Sequence, residues 1–333
     1  MSASPATDAR LSTVARIGLV LGAGGLTGQA FHAGVLAAVQ EHTGWDPRSA
    51  TVVVGTSAGS GMGAYLRIGL SVADLMARIT GRPLSDEGEA LVARAGESGD
   101  WTVATGPRRG PQMPHANLLR RLATGPHRVR PEALLGVSVP PGRVDTETWA
   151  AALRQLTGPA WPSATLWICT VRVDDARRVV LGRGDAPLTD VATAVAASSA
   201  IPGYFTPVEI EGRRYLDGGA HSSTNADVLR REALDLVIVS SPMSSARGAP
   251  FTGIGHAARR HFRRRLGQEV RALARAGLRV VVFQPSGEDQ AVMGANTMDQ
   301  DRMARVAEQA HATTLRRLAD GRLDQLTAPA TGP

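Results

Sequence analysis

The chain has 333 residues, 43% hydrophobic, 20% charged and only 4% aromatic, which is enough apolar material for a large core in one large domain or two ordinary ones. Its single cysteine, Cys169, lies in the apolar run Leu166-Trp167-Ile168-Cys169; a disulfide framework is excluded, and a reducing compartment is compatible. The net charge of +7 is carried entirely by arginine, read first as a coding bias and second as a preference for anionic partners. Without a helix-turn-helix pattern, zinc spacing or many aromatics, nucleic acid is the weaker partner and a membrane surface the stronger.

Residues 1–14 are polar and small and read as a tail. Ile17 to Leu21 is too short and too glycine-bounded for a signal peptide or a membrane span, and no other run reaches spanning length. A soluble, cytoplasmic protein is expected. Ala15 to Leu21 reads as a first strand buried on both faces. A glycine-rich loop, Gly22-Ala23-Gly24-Gly25-Leu26-Thr27-Gly28, leads to a helix over Gln29–Glu41 with apolar or small residues at Ala30, Phe31, Gly34, Val35, Ala38 and Val39. The apolar run Thr51-Val52-Val53-Val54 follows, so the opening is a βαβ unit with parallel strands.

That second strand runs into Gly55-Thr56-Ser57-Ala58-Gly59, and a small, helix-compatible stretch follows. Strand, G-x-S-x-G, helix is the context of a nucleophile elbow. The turn is so tight that side chains at its edges would collide, and glycine at 55 and 59 removes them. Ser57 is then presented at a helix N-terminus, where unpaired N–H groups favour negative charge.

From 71 to 162 the pattern changes. Helical pieces (Val72–Thr80, Asn117–Ala123, Thr146–Leu156) alternate with Gly/Pro/Arg-rich connections such as Thr105–Pro111. This reads as an insertion over the sheet edge, a lid, or a long helical crossover. Strands resume at Thr165–Val173 and Arg178–Leu181, followed by a helix over Thr189–Ala197. Val208–Ile210 and Arg214–Leu216 flank a hairpin turn at Glu211-Gly212, and Asp217-Gly218-Gly219 closes the hairpin. Leu236–Val239 and Leu278–Phe283 are the last strands. Between them Ile254 to Ala276 reads as an amphipathic helix with Arg259, Arg260, Arg263, Arg264 and Arg265 on its polar side, either solvated or lying against anionic lipid. The fold expected is a three-layer α/β/α sandwich with a mainly parallel central sheet, a single domain over 15–320 with a tail at 321–333.

A serine nucleophile needs a base, donors for an oxyanion and an acyl pocket. The glycine-rich loop can supply donors: if the strands holding Val20 and Val53 are adjacent, Gly24, Gly25 and Ser57 share one sheet edge. The base is either histidine or carboxylate. Of the histidines (His32, His42, His115, His127, His221, His256, His261, His311), only His221 stands near a candidate motif. Asp217 ends a strand before two glycines, so its carboxylate can face a crowded site, although D-G-G can also be a plain turn. An ordinary α/β-hydrolase is disfavoured because the elbow follows only the second strand. A dinucleotide-binding oxidoreductase is the competitor, since Gly22-x-Gly24-x-x-x-Gly28 resembles a cofactor loop. Its second strand should then end in an acidic residue, and this one ends in Gly55-Thr56-Ser57.

Glycine-rich loop, G-x-S-x-G and D-G-G in this order, with Ala200-x-Pro202-x-x-Phe205-x-Pro207, resemble the patatin-like phospholipase family over Ile17 to Val239. The resemblance implies hydrolysis of acyl esters, often of phospholipids, by a Ser–Asp dyad without histidine, metal or cofactor. Carried over, Ser57 is the nucleophile and Asp217 the base. Gly24, Gly25 and the neighbouring amide of Leu26 form the oxyanion hole, with Gly22, Thr27, Gly55, Gly59, Gly218 and Gly219 supporting the motifs. Thr27 stands where many members have a cation, which weakens the case for phospholipid more than that for ester hydrolysis. The implied partner is a lipid ester, with a peripheral membrane contact through the Arg259–Arg265 helix. A catalytically silent lipid-binding protein is the remaining alternative.

Overall fold

A computed structural model describes residues 15–94, 115–246 and 256–319. Among them the strands are β1 (Ile17–Leu21), β2 (Val52–Gly55), β3 (Leu166–Arg172), β4 (Arg177–Leu181), β5 (Val208–Ile210), β6 (Arg213–Asp217), β7 (Leu236–Ser240) and β8 (Arg279–Phe283). The α-helices are α1 (Gly25–Thr43), α2 (Ala58–Arg67), α3 (Val72–Thr80), α4 (Asp86–Ala93), α5 (Ala116–Thr124), α6 (Pro131–Ser138), α7 (Glu147–Thr157), α8 (Val191–Ser199), α9 (His256–Arg275), α10 (Gly287–Met293) and α11 (Met303–Ala319). The tails expected at 1–14 and 321–333 and the connection at 105–111 lie outside the described residues.

One sheet organises the chain, in the order β5-β6-β3-β2-β1-β7-β8, with β4 also pairing β3. The pairs β1–β2, β1–β7, β2–β3 and β7–β8 are parallel, while β4, β5 and β6 run antiparallel to their neighbours. The period-2 geometry of strands sends alternate residues to opposite faces. Leu19, Leu21, Val53, Leu166, Ile168 and Ile238 enter the core shared with Phe31 and Val35 of α1, Met62 of α2, Val195 of α8 and Val306 of α11. Their neighbours Val20, Val52, Val54, Trp167, Cys169 and Val237 enter the core shared with Leu266 and Leu273 of α9. These are the three layers the sequence implies.

The register of β3 positions the site. Thr170 pairs with Val179 of β4 and with Asp217 of β6, and Ile168 pairs with Leu181 of β4 and with Gly55 of β2. A strand residue has only two edges, so β4 holds one edge and β2 and β6 share the other. β2 runs parallel to β3 and ends opposite Ile168; β6 runs antiparallel and ends opposite Thr170. Two chain segments therefore meet C-terminus to C-terminus at positions two residues apart on β3, ~7 Å along the strand.

Several boundaries differ from the sequence reading. The helix expected from Gln29 begins at Gly25, so Gly25 to Gly28 form its first turn. The stripe on α9 runs through Leu266 and Leu273, while Ala258 and Ala274 are exposed, and Ile254 lies outside the described residues. In 71–162, α4 and α6 add to the helices expected. These helices spread around the sheet: α3 lies on α1 and α11, α7 on α8, and α5 and α6 beside Val171 and Ala176. The hairpin turn has φ of 48° at Glu211 and 69° at Gly212, the doubly left-handed conformation of a type I′ turn.

The glycines of α2 separate two effects. A Cβ on Gly59 would overlap the Leu21 carbonyl of β1, whereas one on Gly61 would meet only Gln29 and Val195, each at 3.9 Å. Urea denaturation should show Gly59→Ala losing ~1–3 kcal/mol or more through overpacking against backbone. Gly61→Ala should gain ~0.5–1 kcal/mol from restricting the unfolded chain. Equal effects would contradict this account of the elbow.

Candidate active site

Ser57 sits at φ 52° and ψ −121°, left-handed backbone that a non-glycine residue adopts only at a cost of ~1–3 kcal/mol. Its surroundings impose the conformation. The Thr56 N–H donates to the Leu21 carbonyl at 3.0 Å, and the Gly59 and Ser60 N–H groups donate back to Thr56 and Ser57 at 3.0 and 2.8 Å. The Ser57 N–H donates to Ser198 Oγ at 2.9 Å, and Ser198 Oγ–H donates to the Cys169 carbonyl at 2.7 Å. Ser198, from α8, thus bridges the elbow to β3 at the place where neither β2 nor β6 pairs with it.

Asp217 is buried at the end of β6. Its N–H donates to the Ala200 carbonyl at 2.9 Å, and its Oδ1 accepts from the Gly219 N–H at 2.7 Å. Burial pushes its carboxyl up from the ordinary 3.8 to about 6; the Gly219 amide and a side-chain hydrogen bond from Ser57 offset part of this by favouring the charged form. Serine hydroxyl and aspartate carboxylate, 160 positions apart in the sequence, face each other.

The glycine-rich turn closes the site. Gly25 has φ 61°, and a Cβ there would stand 2.6 Å from the Thr297 carbonyl. The Gly22 N–H donates to Ser240, Ala23 to Ser223, and Thr27 to Thr297, at 3.0, 2.7 and 3.1 Å. Among the described residues no acceptor takes the N–H of Gly24, Gly25, Leu26 or Ala58. Ideal Cβ atoms put Gly28 of α1 within 3.7 Å of Ala58, and Gly219 within 3.6 Å of Ala23. Two helix N-termini and the D-G-G turn therefore converge beside Ser57, an arrangement that favours developing negative charge.

His32 anchors the turn. Its Nε2 lies 2.8 Å from the Gly22 carbonyl and its Nδ1 2.7 Å from Ser240 Oγ. A carbonyl only accepts, so Nε2 carries the proton and Nδ1 accepts from Ser240. Complete burial pushes this imidazole down to about 4, so it stays neutral above that pH. Its unfolded form protonates near 6.5, and its contribution to stability is therefore full above 6.5 and lost as pH falls towards 4.

The remaining expected residues are placed as follows. Gly55 and Gly59 flank the elbow, and a Cβ on Gly218 would overlap the Cys169 carbonyl. Thr27 is buried with its hydroxyl unpartnered, so it does not present a polar group at the entrance in place of a cation. His221 faces a different environment. Burial, with the charges of Arg178 and Arg130, pushes its imidazole down to about 2, too weak a base for proton abstraction. Cys169 is buried and its thiol is pushed up to about 12, which leaves it a core residue. The sequence reading missed Ser198, Ser223, Asn225 and the Ala58 amide. Ser198 stands two residues before the motif that opens at Ala200, but nothing in that spacing gives a serine a bridging role.

The family described as patatin-like phospholipase matches residues 19–230, and the chain belongs to it. The protein is accordingly a hydrolase of carboxylic esters with a lipid substrate. No curated protein matches the chain. Solved structures similar to it include the following two. VipD from Legionella pneumophila is 15% identical with a TM-score of 0.43, over 92% of this chain and 67% of VipD. The type III effector protein ExoU is 18% identical with a TM-score of 0.35, over 92% of this chain and 53% of ExoU.

The Asp217 environment has a stability consequence. An acid whose folded pKa is raised binds more protons folded than unfolded between 3.8 and about 6, so stability falls as pH rises through that window. Asp217→Asn should be more stable than the wild type at pH 8, by up to ~3 kcal/mol, with most of the difference gone at pH 4. Thermal melts at both pH values measure this, and a destabilised Asn variant at pH 8 would contradict the buried charge.

Proposed function

We propose that the protein cleaves lipid carboxylic esters as a serine acyl hydrolase, with Ser57 as nucleophile and Asp217 as its only base. One observation carries this reading: a strained serine hydroxyl set against a buried carboxylate at the meeting point of β2 and β6. Asp217 accepts the Ser57 proton as Oγ attacks the ester carbonyl, and the proton passes to the leaving alcohol. Water then cleaves the acyl-enzyme: Asp217 takes the proton of the attacking water and returns it to Ser57 Oγ as the acid is released. An aspartate at its ordinary pKa is a weak base; raised to about 6, it stays ionised at neutral pH and accepts a proton more readily. The amides of Gly24, Gly25 and Leu26, joined by that of Ala58, receive the oxyanion; loss of one such donor typically costs ~10²–10³ in rate.

The partner reading narrows. Arg259 turns inward to the Pro242 and Ser244 carbonyls, both at 2.9 Å, and Arg265 pairs with Glu132 at 2.6 Å. Arg260, Arg263 and Arg264 are the part of the Arg259–Arg265 face that remains for anionic lipid. Among the described residues no helix is long and apolar enough to cross a membrane. The oxidoreductase alternative gives way to the family assignment. The silent lipid-binding alternative requires that Ser57 be unreactive.

Ser57→Ala and Asp217→Asn should each lower p-nitrophenyl butyrate turnover by ~10³-fold or more, and His221→Ala should leave it within a few-fold of wild type. A fluorophosphonate should label Ser57. An active Asp217→Asn protein with an inactive His221→Ala protein would establish a histidine base instead, and failure of labelling would favour the silent protein.

A further inference from the structure

The segment that follows the D-G-G turn touches every element of the site. The Ser223 carbonyl accepts the Ala23 N–H of the glycine-rich turn at 2.7 Å. Two residues on, Asn225 is fully buried with φ 53°. Its Nδ2 donates to Thr56 Oγ1 at 3.2 Å, to the Gly218 carbonyl at 3.3 Å and to the Ser222 carbonyl at 2.7 Å. Thr56 directly precedes Ser57, and Gly218 directly follows Asp217. One carboxamide therefore spans the two strand ends.

The amide's orientation follows from its neighbours. Two of the groups facing Nδ2 are carbonyls, which only accept, and the group facing Oδ1 is Arg178 Nη1, which only donates, at 3.2 Å. A flipped amide would oppose all three. Arg178 is itself held by both Asp227 oxygens, at 2.6 and 3.0 Å. Glu269 of α9 grips both flanks of Asn225, accepting from Thr224 Oγ1 at 2.6 Å and from the Ala226 N–H at 2.9 Å. These contacts fix the residue from behind in a backbone conformation that asparagine and glycine tolerate better than other residues.

We propose that Asn225 is a positioning residue for the reaction, a clamp that sets the separation of Ser57 and Asp217 by tying Thr56 to Gly218. The proposal rests on the dyad reading above. It complements Ser198: the gap in β3's edge pairing is bridged by Ser198 from the α8 layer and by Asn225 from the layer of α9, in which Ala226 is packed. Asn225 itself touches no reacting atom. It acts through the geometry of the pair, and small misplacements there have large effects on rate.

The test compares Ser57→Ala, Asn225→Gly, Thr56→Val and the Asn225→Gly/Thr56→Val double variant, using p-nitrophenyl butyrate kinetics and the rate of fluorophosphonate labelling. Glycine keeps the left-handed backbone and deletes the carboxamide; valine keeps the shape of Thr56 and deletes its hydroxyl. Asn225→Gly should lower kcat by ~30-fold with KM within ~2-fold, and slow labelling in proportion. The double variant should be less impaired than the product of the two single effects, because both remove one contact. A folded Asn225→Gly protein with wild-type kcat, a change confined to KM, or independent effects in the double variant would overturn the clamp. Should Asn225→Gly not fold, Thr56→Val carries the test: a fall in kcat at constant KM supports the clamp, and unchanged kcat overturns it. An active Ser57→Ala protein would instead remove the dyad reading itself. Inactive Ser57→Ala beside fully active Asn225→Gly would remove the clamp alone.

Discussion

The site depends on one packing constraint: two strands of opposite direction share a single edge of β3 and stop short of each other. Gly55 pairs opposite Ile168, Asp217 opposite Thr170, and no strand pairs on that edge at Cys169 between them. A strand end projects its last residues out of the hydrogen-bonded ladder. Two ends facing each other project theirs into the same space. The juxtaposition of Ser57 with Asp217 is in this sense a property of sheet register, and the glycines at 55, 59 and 218 allow the backbones to come close enough.

Electrostatics then defines the chemistry. A carboxylate withdrawn from water becomes a better base at the cost of stability. Asp217 retains its charge through the Gly219 amide and the Ser57 hydroxyl, which in the proposed reaction it would deprotonate. The histidines nearest the motifs, His32 and His221, sit in other surroundings. His32 is committed to holding the glycine-rich turn, and His221 is disabled as a base by burial and by the arginines around it. The buried group behind Asn225 (Arg178, Asp227 and Glu269) supports a loop without entering the site. Removing one partner of such a buried group is strongly destabilising, because it leaves an uncompensated buried charge.

Much of this was legible in the sequence because it is written in local physics. Apolar runs bounded by glycine gave the strands, and the hairpin at Glu211-Gly212 and the helix at Val72–Thr80 were readable from turn chemistry and periodicity. The elbow, the D-G-G turn and the glycine-rich loop each carry a steric reason for their glycines. What was hidden is non-local. The inward stripe of α11 is Val306, Ala307, Ala310, Thr313, Thr314 and Leu318, too small and too polar to stand out, yet it packs on α1 where a Cβ on Gly34 would overlap the Ala307 carbonyl. Ser198 and Asn225 have ordinary sequence surroundings; their roles exist only once the strand register brings Cys169, Thr56 and Gly218 to them. Arg259 was placed on the outer face by helical period, and carbonyls at the end of a neighbouring loop drew it inward.

Contact between one hydroxyl and one desolvated carboxylate underlies the proposed chemistry, and a titration of that carboxylate reads it directly. Carbon-13 NMR of labelled aspartate, with Asp217 assigned by its loss in Asp217→Asn, should show the group titrating near 6 in the wild type. In Ser57→Ala it should titrate higher, because the hydroxyl that favours the charged form is gone. Titration near the ordinary 3.8 in both proteins would mean that the carboxylate is solvated and the two side chains are apart, contradicting the account.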